Sequence, residues 1–206
     1  MRIFLKDALT GAKLALLYTI FDEYSAIARS AYIENAGEKN LHVLNMMSLS
    51  LDLPDKDYEW MQLSGAWSRE RYIKSRTLEQ GITAIDSMRG NSSHEHNPFL
   101  ALKRHNTDEN AGEAIGISLV YSGNFQGEVL KDQYNQTRML LGVQEECFRY
   151  PLEAGETFYA PEVILSYTDQ GMNRLSQNLH SCIRHHICRG KYKTCLLYTS
   201  DAADEG

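Results

Sequence analysis

The feature that most limits what this chain can fold into is a period of two. Within Leu41 to Leu53, Met47, Leu49, Leu51 and Leu53 alternate with Ser48, Ser50 and Asp52, and Pro54-Asp55 ends the run. Further on, Ile115, Ile117, Leu119 and Tyr121 alternate with Gly116, Ser118 and Ser122. This alternation turns one face of a segment inward and the other to water, which describes a half-buried strand. Shorter runs of the same character occur at Trp60 to Leu63, Arg71 to Ile73, Ile82 to Ile85, Phe99 to Leu102, Phe125 to Leu130, Arg138 to Val143 and Phe158 to Tyr167. Turn signals separate them: Ser64-Gly65-Ala66, the polar Arg89 to Asn97, the charged Lys103 to Gly112, Ser122-Gly123-Asn124 and Gly155. Many short strands with a turn about every ten residues predict an antiparallel sandwich. A chain of 206 residues has room for one such domain with a core of its own.

Two ends of the chain depart from this pattern. From Arg2 to Asn35, Ala, Leu and Ile are dense enough to suggest a helix, yet Tyr18-Thr19-Ile20-Phe21 and Tyr32-Ile33 favour strands. Toward the other end the period lengthens. Met172, Leu175, Leu179, Cys182 or Ile183, and His186 or Ile187 fall at steps of three and four, which predicts an amphipathic helix stopping at Gly190.

Charge and composition narrow the function. Acidic residues outnumber basic ones, 27 to 21, for a net charge of −6, which argues against a nucleic-acid or anionic-membrane surface. No run approaches the roughly 20 apolar residues of a membrane span. Cys147, Cys182, Cys188 and Cys195 form no CxxC pair, so they read as reduced thiols of a cytoplasmic protein. No phosphate loop or nucleotide fingerprint occurs, and no cofactor is implied.

The stretch with chemistry in it is Leu51 to Pro98, which holds both tryptophans, Trp60 and Trp67. Trp67 stands beside Ser64-Gly65-Ala66 and is followed by Arg69 and Arg71. The apolar face of an indole covers the C–H face of a pyranose, and fork-shaped guanidinium donors read hydroxyls. On residue type alone, a packed indole with Arg69 and Arg71 on a solvated strand face explains the pattern as well, since Trp is usually buried. His94-Glu95-His96 could set two imidazoles on one face, but no third metal ligand is evident. His180, Cys182, His185, His186 and Cys188 crowd one helix and would point around it rather than converge. No metal is therefore assigned. Asp52, Asp55 and Asp57 surround a strand end and read as turn and surface residues.

The segments SLSLDLPDKDYEWMQLSGAWSRER, LEQGI, RGNSSHEHNPFLAL, GISLVYSGNF and PEVILSYTDQGMNRLSQNLH together resemble the melibiase-type α-galactosidases of glycoside hydrolase family 36. They occur in the family's order, from about Leu14 to about Gly190. The resemblance implies an all-β fold, an incomplete galactose-mutarotase-like β-supersandwich with a C-terminal linker helix. It divides the chain into a partial sandwich (1–169), a linker helix toward a catalytic barrel (170–190) and a tail (191–206). The tail, ending CLLYTSDAADEG, looks like translated sequencing-adapter read-through and is expected to be non-native and disordered. Relatives are expected to carry a first part of the sandwich ahead of the point matching Met1.

In this family two aspartates on a (β/α)8 barrel perform a retaining hydrolysis. Neither of their motifs is present here, so no catalytic residue is assigned and the chain alone is expected to be inactive. The substrate-binding assignment is Trp67, which matches the family's aromatic at the sugar site and would form a wall of a galactose pocket. Arg69, Arg71 and the Asn91–His96 loop are weaker candidates, for which salt bridges and loop tying are an equal alternative. The implied partners are an α-galactoside, the barrel, and further copies of the same enzyme in a homo-oligomer. An assembly domain or a carbohydrate-binding module are the alternatives to an enzyme part.

Overall fold

A computed structural model describes residues 1–190 apart from Lys56, Asn135 and Cys147, so the 191–206 tail and Cys195 lie outside the described residues. The order along the chain is β1 (Arg2–Lys6), β2 (Ala12–Phe21), β3 (Ala26–Asn35), β4 (Leu41–Val43), β5 (Met47–Leu53), β6 (Glu59–Ala66), β7 (Arg69–Thr77) and β8 (Gly81–Ser87). Next come β9 (His96–Lys103), β10 (Ala114–Val120), β11 (Phe125–Lys131), β12 (Thr137–Val143), β13 (Tyr150–Leu152), β14 (Thr157–Tyr159) and β15 (Glu162–Thr168). A helix, α1 (Gly171–Cys182), follows the strands. The all-β sandwich implied by the period-two pattern is the observed architecture.

The pairings among these strands are antiparallel. A nine-stranded sheet runs β1-β2-β3-β15-β10-β9-β6-β7, with β14 added on β3. A four-stranded sheet, β5-β12-β11-β8, packs on one face of it. The inward residues of the two sheets form the main core: Trp60, Leu100, Leu102 and Ile117 from the large sheet meet Leu49, Ile85, Phe125, Val129, Met139 and Leu141 from the small one. Each Å² of apolar surface that this cluster removes from water stabilises the sandwich by about 25 cal/mol.

Helix α1 covers the opposite face of the large sheet. Leu175, Leu179 and Cys182 pack on Met61, Ala101, Ala114 and Ile164, the stripe that the three- and four-residue spacing predicts. Gly116 lets the helix approach: a Cβ there would stand 3.1 Å from a Leu175 methyl. The helix ends differently from expectation. It stays α-helical only to Cys182 and then widens into a single π turn, Ile183–Ile187, closed by the Cys188 N–H on the Ile183 carbonyl at 2.8 Å. The wider turn brings two consecutive rings onto the short 3-10 turn Asp22–Tyr24 and the residue before it. His185 stacks on Tyr24, and His186 packs at a tilt of 34° against Phe21.

Several strand boundaries also differ. The Arg2–Asn35 region is three strands, as its aromatic and β-branched residues indicate. Leu41–Leu53 is interrupted between Val43 and Met47, and 158–167 breaks at Ala160-Pro161, where Pro161 has no N–H to give to a ladder. Ser64-Gly65-Ala66, read as a loop, is instead the end of β6, and the turn is the two residues Trp67 and Ser68. The Arg71–Ile73 strand is correspondingly longer, Arg69–Thr77.

Candidate functional site

Trp67 sits at the tip of the β6–β7 hairpin, where Ala66 pairs with Arg69. Two features bend this tip. Gly65 lies at a bulge in β6, and a Cβ there would fall 2.0 Å from the Arg69 carbonyl oxygen, so no other residue fits. Ser68 and Arg71 both have left-handed backbones, with φ of 60° and 62°. A left-handed non-glycine residue costs about 1–2 kcal/mol. Two of them within four residues of one indole are the kind of strain that persists where the surrounding structure holds it, often at functional positions. The spacing of residues in the sequence carries no signal of either.

The result is an indole that is 82% exposed, in contrast to Trp60, which is 0% exposed seven residues earlier. β7 is the edge of the large sheet and is exposed along its full length. Arg69 and Arg71 project from it with no acidic partner among the described residues, so the ion-pair alternative raised for them is not what the structure shows. Charged side chains on an exposed edge also keep that edge from pairing with stray strands.

The Asn91–His96 loop is brought against the hairpin. The Glu95 carbonyl accepts the Gly65 N–H at 3.0 Å, and His96 Nδ1 lies 3.0 Å from Ser64 Oγ. The loop is itself tied: Arg89 pairs with Glu95 at 2.5 Å, Gly90 N–H donates to Asn124 Oδ1, and Ser92 N–H to the Ser122 carbonyl. Here the loop-tying reading describes what the residues do, and the loop in turn supports the bulged base of the Trp67 turn. On the other face of the hairpin, Arg71, Ile73, Ser92, Ser93 and Asn97 line one wall of a cavity of about 840 Å3, whose opposite wall is Met172, Leu175, Leu179 and Ile183 of the helical segment. Trp67 and Arg69 do not line it.

The carboxylates near the strand end are engaged in ion pairs. Asp52 accepts two bonds from Arg138, and the pairing holds its carboxyl below the usual range. Asp55 accepts two bonds from Arg104, each 2.8 Å, and is lowered by them. Arg104 also reaches Glu113 at 2.8 Å and stands 4.2 Å over the Tyr58 ring. This network stitches the β5–β6 connection to the β9–β10 connection. Asp57 meets His105 at 3.0 Å. No group of three metal-ligating side chains converges among the described residues. His185 and His186 both lie against the Tyr24 ring and His180 beside Ser176, while Cys182 is buried and Cys188 exposed, both free thiols. Cys147 lies outside the described residues.

Comparison with known proteins decides the family. The profile described as "Glycosyl hydrolase family 36 N-terminal domain" matches residues 1–153. The chain belongs to glycosyl hydrolase family 36. A second profile, "Melibiase", matches residues 157–197 and so continues past Gly190. Among curated relatives of this family 36 chain, α-galactosidase AgaA of Geobacillus stearothermophilus is 44% identical over 193 residues, covering 94% of this chain and 26% of that protein. α-Galactosidase Mel36A of Lactobacillus acidophilus is 41% identical over 189 residues, 92% of this chain and 26% of that protein. The chain spans about a quarter of the length of these relatives. A crystal structure of AgaA in complex with stachyose superposes with a TM-score of 0.92 at 43% identity, over 94% of this chain and 27% of that one. The AgaA complex with raffinose gives 0.91 at 44% identity, over 93% and 27%. The sandwich and its helix are thus the family 36 N-terminal architecture. No helix among the described residues is long and apolar enough to cross a membrane.

Proposed function

We propose that this chain is the N-terminal sandwich portion of an α-galactosidase, one that releases terminal non-reducing α-D-galactose from oligosaccharides such as raffinose and melibiose. The observation that carries the reading is the match to α-galactosidases over 94% of the chain, one of them crystallised with raffinose and with stachyose. Hydrolysis would proceed by double displacement with retention, using two carboxyl groups about 5 Å apart on a catalytic barrel. The acids singled out in this sandwich are poor candidates for that work, because Asp52, Asp55 and Asp57 are each taken up by a basic partner of the sandwich itself, Arg138, Arg104 and His105. The role left to the sandwich is to shape the pocket. Trp67, carried outward on a stiff two-residue turn, would lay its indole against the apolar face of the sugar, and Arg69 would stand beside it. The fully exposed β7 edge, with Tyr72 and Ile73 on it, also suits a contact between subunits of a homo-oligomer. A cytoplasmic setting accords with the free thiols of Cys182 and Cys188.

A chimera tests this directly. Residues 1–190 would replace the matching segment of AgaA. The chimera is expected to hydrolyse an aryl α-galactoside, while the 206-residue chain alone gives no rate above background. Turnover by the isolated chain, or a folded chimera without activity, would contradict the proposal.

A further inference from the structure

The β9–β10 connection carries a histidine whose two ring nitrogens both face carboxylates. His105 Nε2 is 3.0 Å from Asp57 Oδ1, and Nδ1 is 3.0 Å from Glu59 Oε1. A neutral imidazole has a single N–H and can donate to one of them only; the imidazolium has two and satisfies both. The other charged group on this cluster is Lys103, whose Nζ is 2.9 Å from Glu59 Oε2. It keeps Glu59 ionised without competing for the oxygen that His105 uses. Arg104, next in sequence, pairs with Asp55 and Glu113 and also donates from Nη1 to the Asp57 backbone carbonyl at 3.2 Å.

The segment that His105 anchors has a second task. Its carbonyls cap helix α1: Gly112 accepts the Gly171 N–H, Asp108 the Met172 N–H and Glu109 the Asn173 N–H, each at 3.0 Å. These are first-turn donors that the helix cannot satisfy by itself. Asp57 and Glu59 belong to the β5–β6 connection and β6, so the imidazolium joins the helix-capping loop to the strand that ends in the Trp67 hairpin.

We propose that His105 is a proton-dependent clip, which when charged fastens the loop that seats α1 to β6 and, when neutral, releases one of its two holds. The hydrogen bond to Glu59 raises the His105 pKa above its ordinary value, with the Asp57 charge adding to it. Glu59 is lowered, first through His105 and then through Lys103. A raised folded-state value means the tie is complete below the ordinary histidine pKa of about 6.5 and is lost as pH rises through the raised value. Arg104 and its partners Asp55 and Glu113, whose carboxyls are held below the usual range, stay charged across the histidine range and hold the loop there, so the clip tunes the seating of the helix and does not unfold the domain.

The test is an NMR titration of the histidine rings in the full 206-residue chain, with amide exchange followed at the start of α1. His105 is expected to titrate at a higher pH than in the urea-unfolded chain, and Asp57→Asn and Glu59→Gln are each expected to lower it. Protection factors of the Met172 and Asn173 amides should fall by about 3-fold as pH passes that value, the scale of one exposed ion pair, and should stay flat in His105→Gln. A His105 that titrates as in the unfolded chain overturns the proposal. So does protection at Met172 and Asn173 that follows the same pH course with and without His105.

Discussion

Trp60→Ala should cost the domain about 3–5 kcal/mol, the range for removing a fully buried aromatic from a packed core. Its indole is 0% exposed and belongs to the inter-sheet cluster. It is also polar at one edge, where Nε1 donates to Gln62 Oε1 at 2.6 Å. Gln62 is itself 7% exposed, so truncation leaves its carbonyl oxygen in the interior without this donor, a further cost on top of the cavity. Arg76, whose guanidinium carbon stands 5.4 Å from the ring centroid, loses its platform as well. Against a total stability of about 5–15 kcal/mol for a domain of this kind, the variant is expected to be marginal or unfolded. Urea denaturation followed by far-UV circular dichroism measures the loss. A drop below about 1 kcal/mol, the range of an ordinary surface change, would contradict the packing described.

Trp67→Ala should do the reverse. The indole is solvent-exposed on a turn, so its loss is expected to change stability by less than about 0.5 kcal/mol. In the AgaA chimera, kcat/KM for an α-galactoside is expected to fall by roughly 10- to 100-fold, about 1.4–2.8 kcal/mol of transition-state binding. Most of the fall should appear in KM. An indole lying on the sugar touches it in the ground state and the transition state alike, and uniform binding of that sort lowers KM without raising kcat. Trp67→Phe should recover part of the loss, since a smaller ring still offers an apolar face. Unchanged kinetics in Trp67→Ala, with the chimera folded, would remove the sugar role.

The two tryptophans show how far the residues alone could be read. Both stand in the same strand-rich stretch, and nothing in their neighbours' types says that Trp60 is at 0% exposure and Trp67 at 82%. Only the resemblance to a family separated them. What local pattern did reveal was periodicity: the alternation in Met47–Leu53 became β5, Ile115–Leu119 became the centre of β10, and the Met172-Leu175-Leu179 spacing became the buried stripe of α1. The misreading of Ser64-Gly65-Ala66 has a definite cause. Ser and Gly are turn formers, so the triplet looks like a loop, yet Gly65 is there because the Arg69 carbonyl passes where a Cβ would be. That is a tertiary constraint with no local signature. The same holds for Arg104 with Asp55, 49 residues apart, and for His105 with Glu59, 46 apart. Long-range polar ties are set by how connections meet at one end of a sandwich, which no window along the sequence displays. The Asn91–His96 loop lay between these cases, since its polarity marked a loop but not that its ties support the Trp67 hairpin.

The most direct measurement is a crystal structure of the AgaA chimera with raffinose bound. The Trp67 indole is expected to pack against the apolar face of the galactose ring, in the pocket of its own or a neighbouring subunit. A galactose-filled pocket with Trp67 left in solvent, or folded back onto β7, would contradict it.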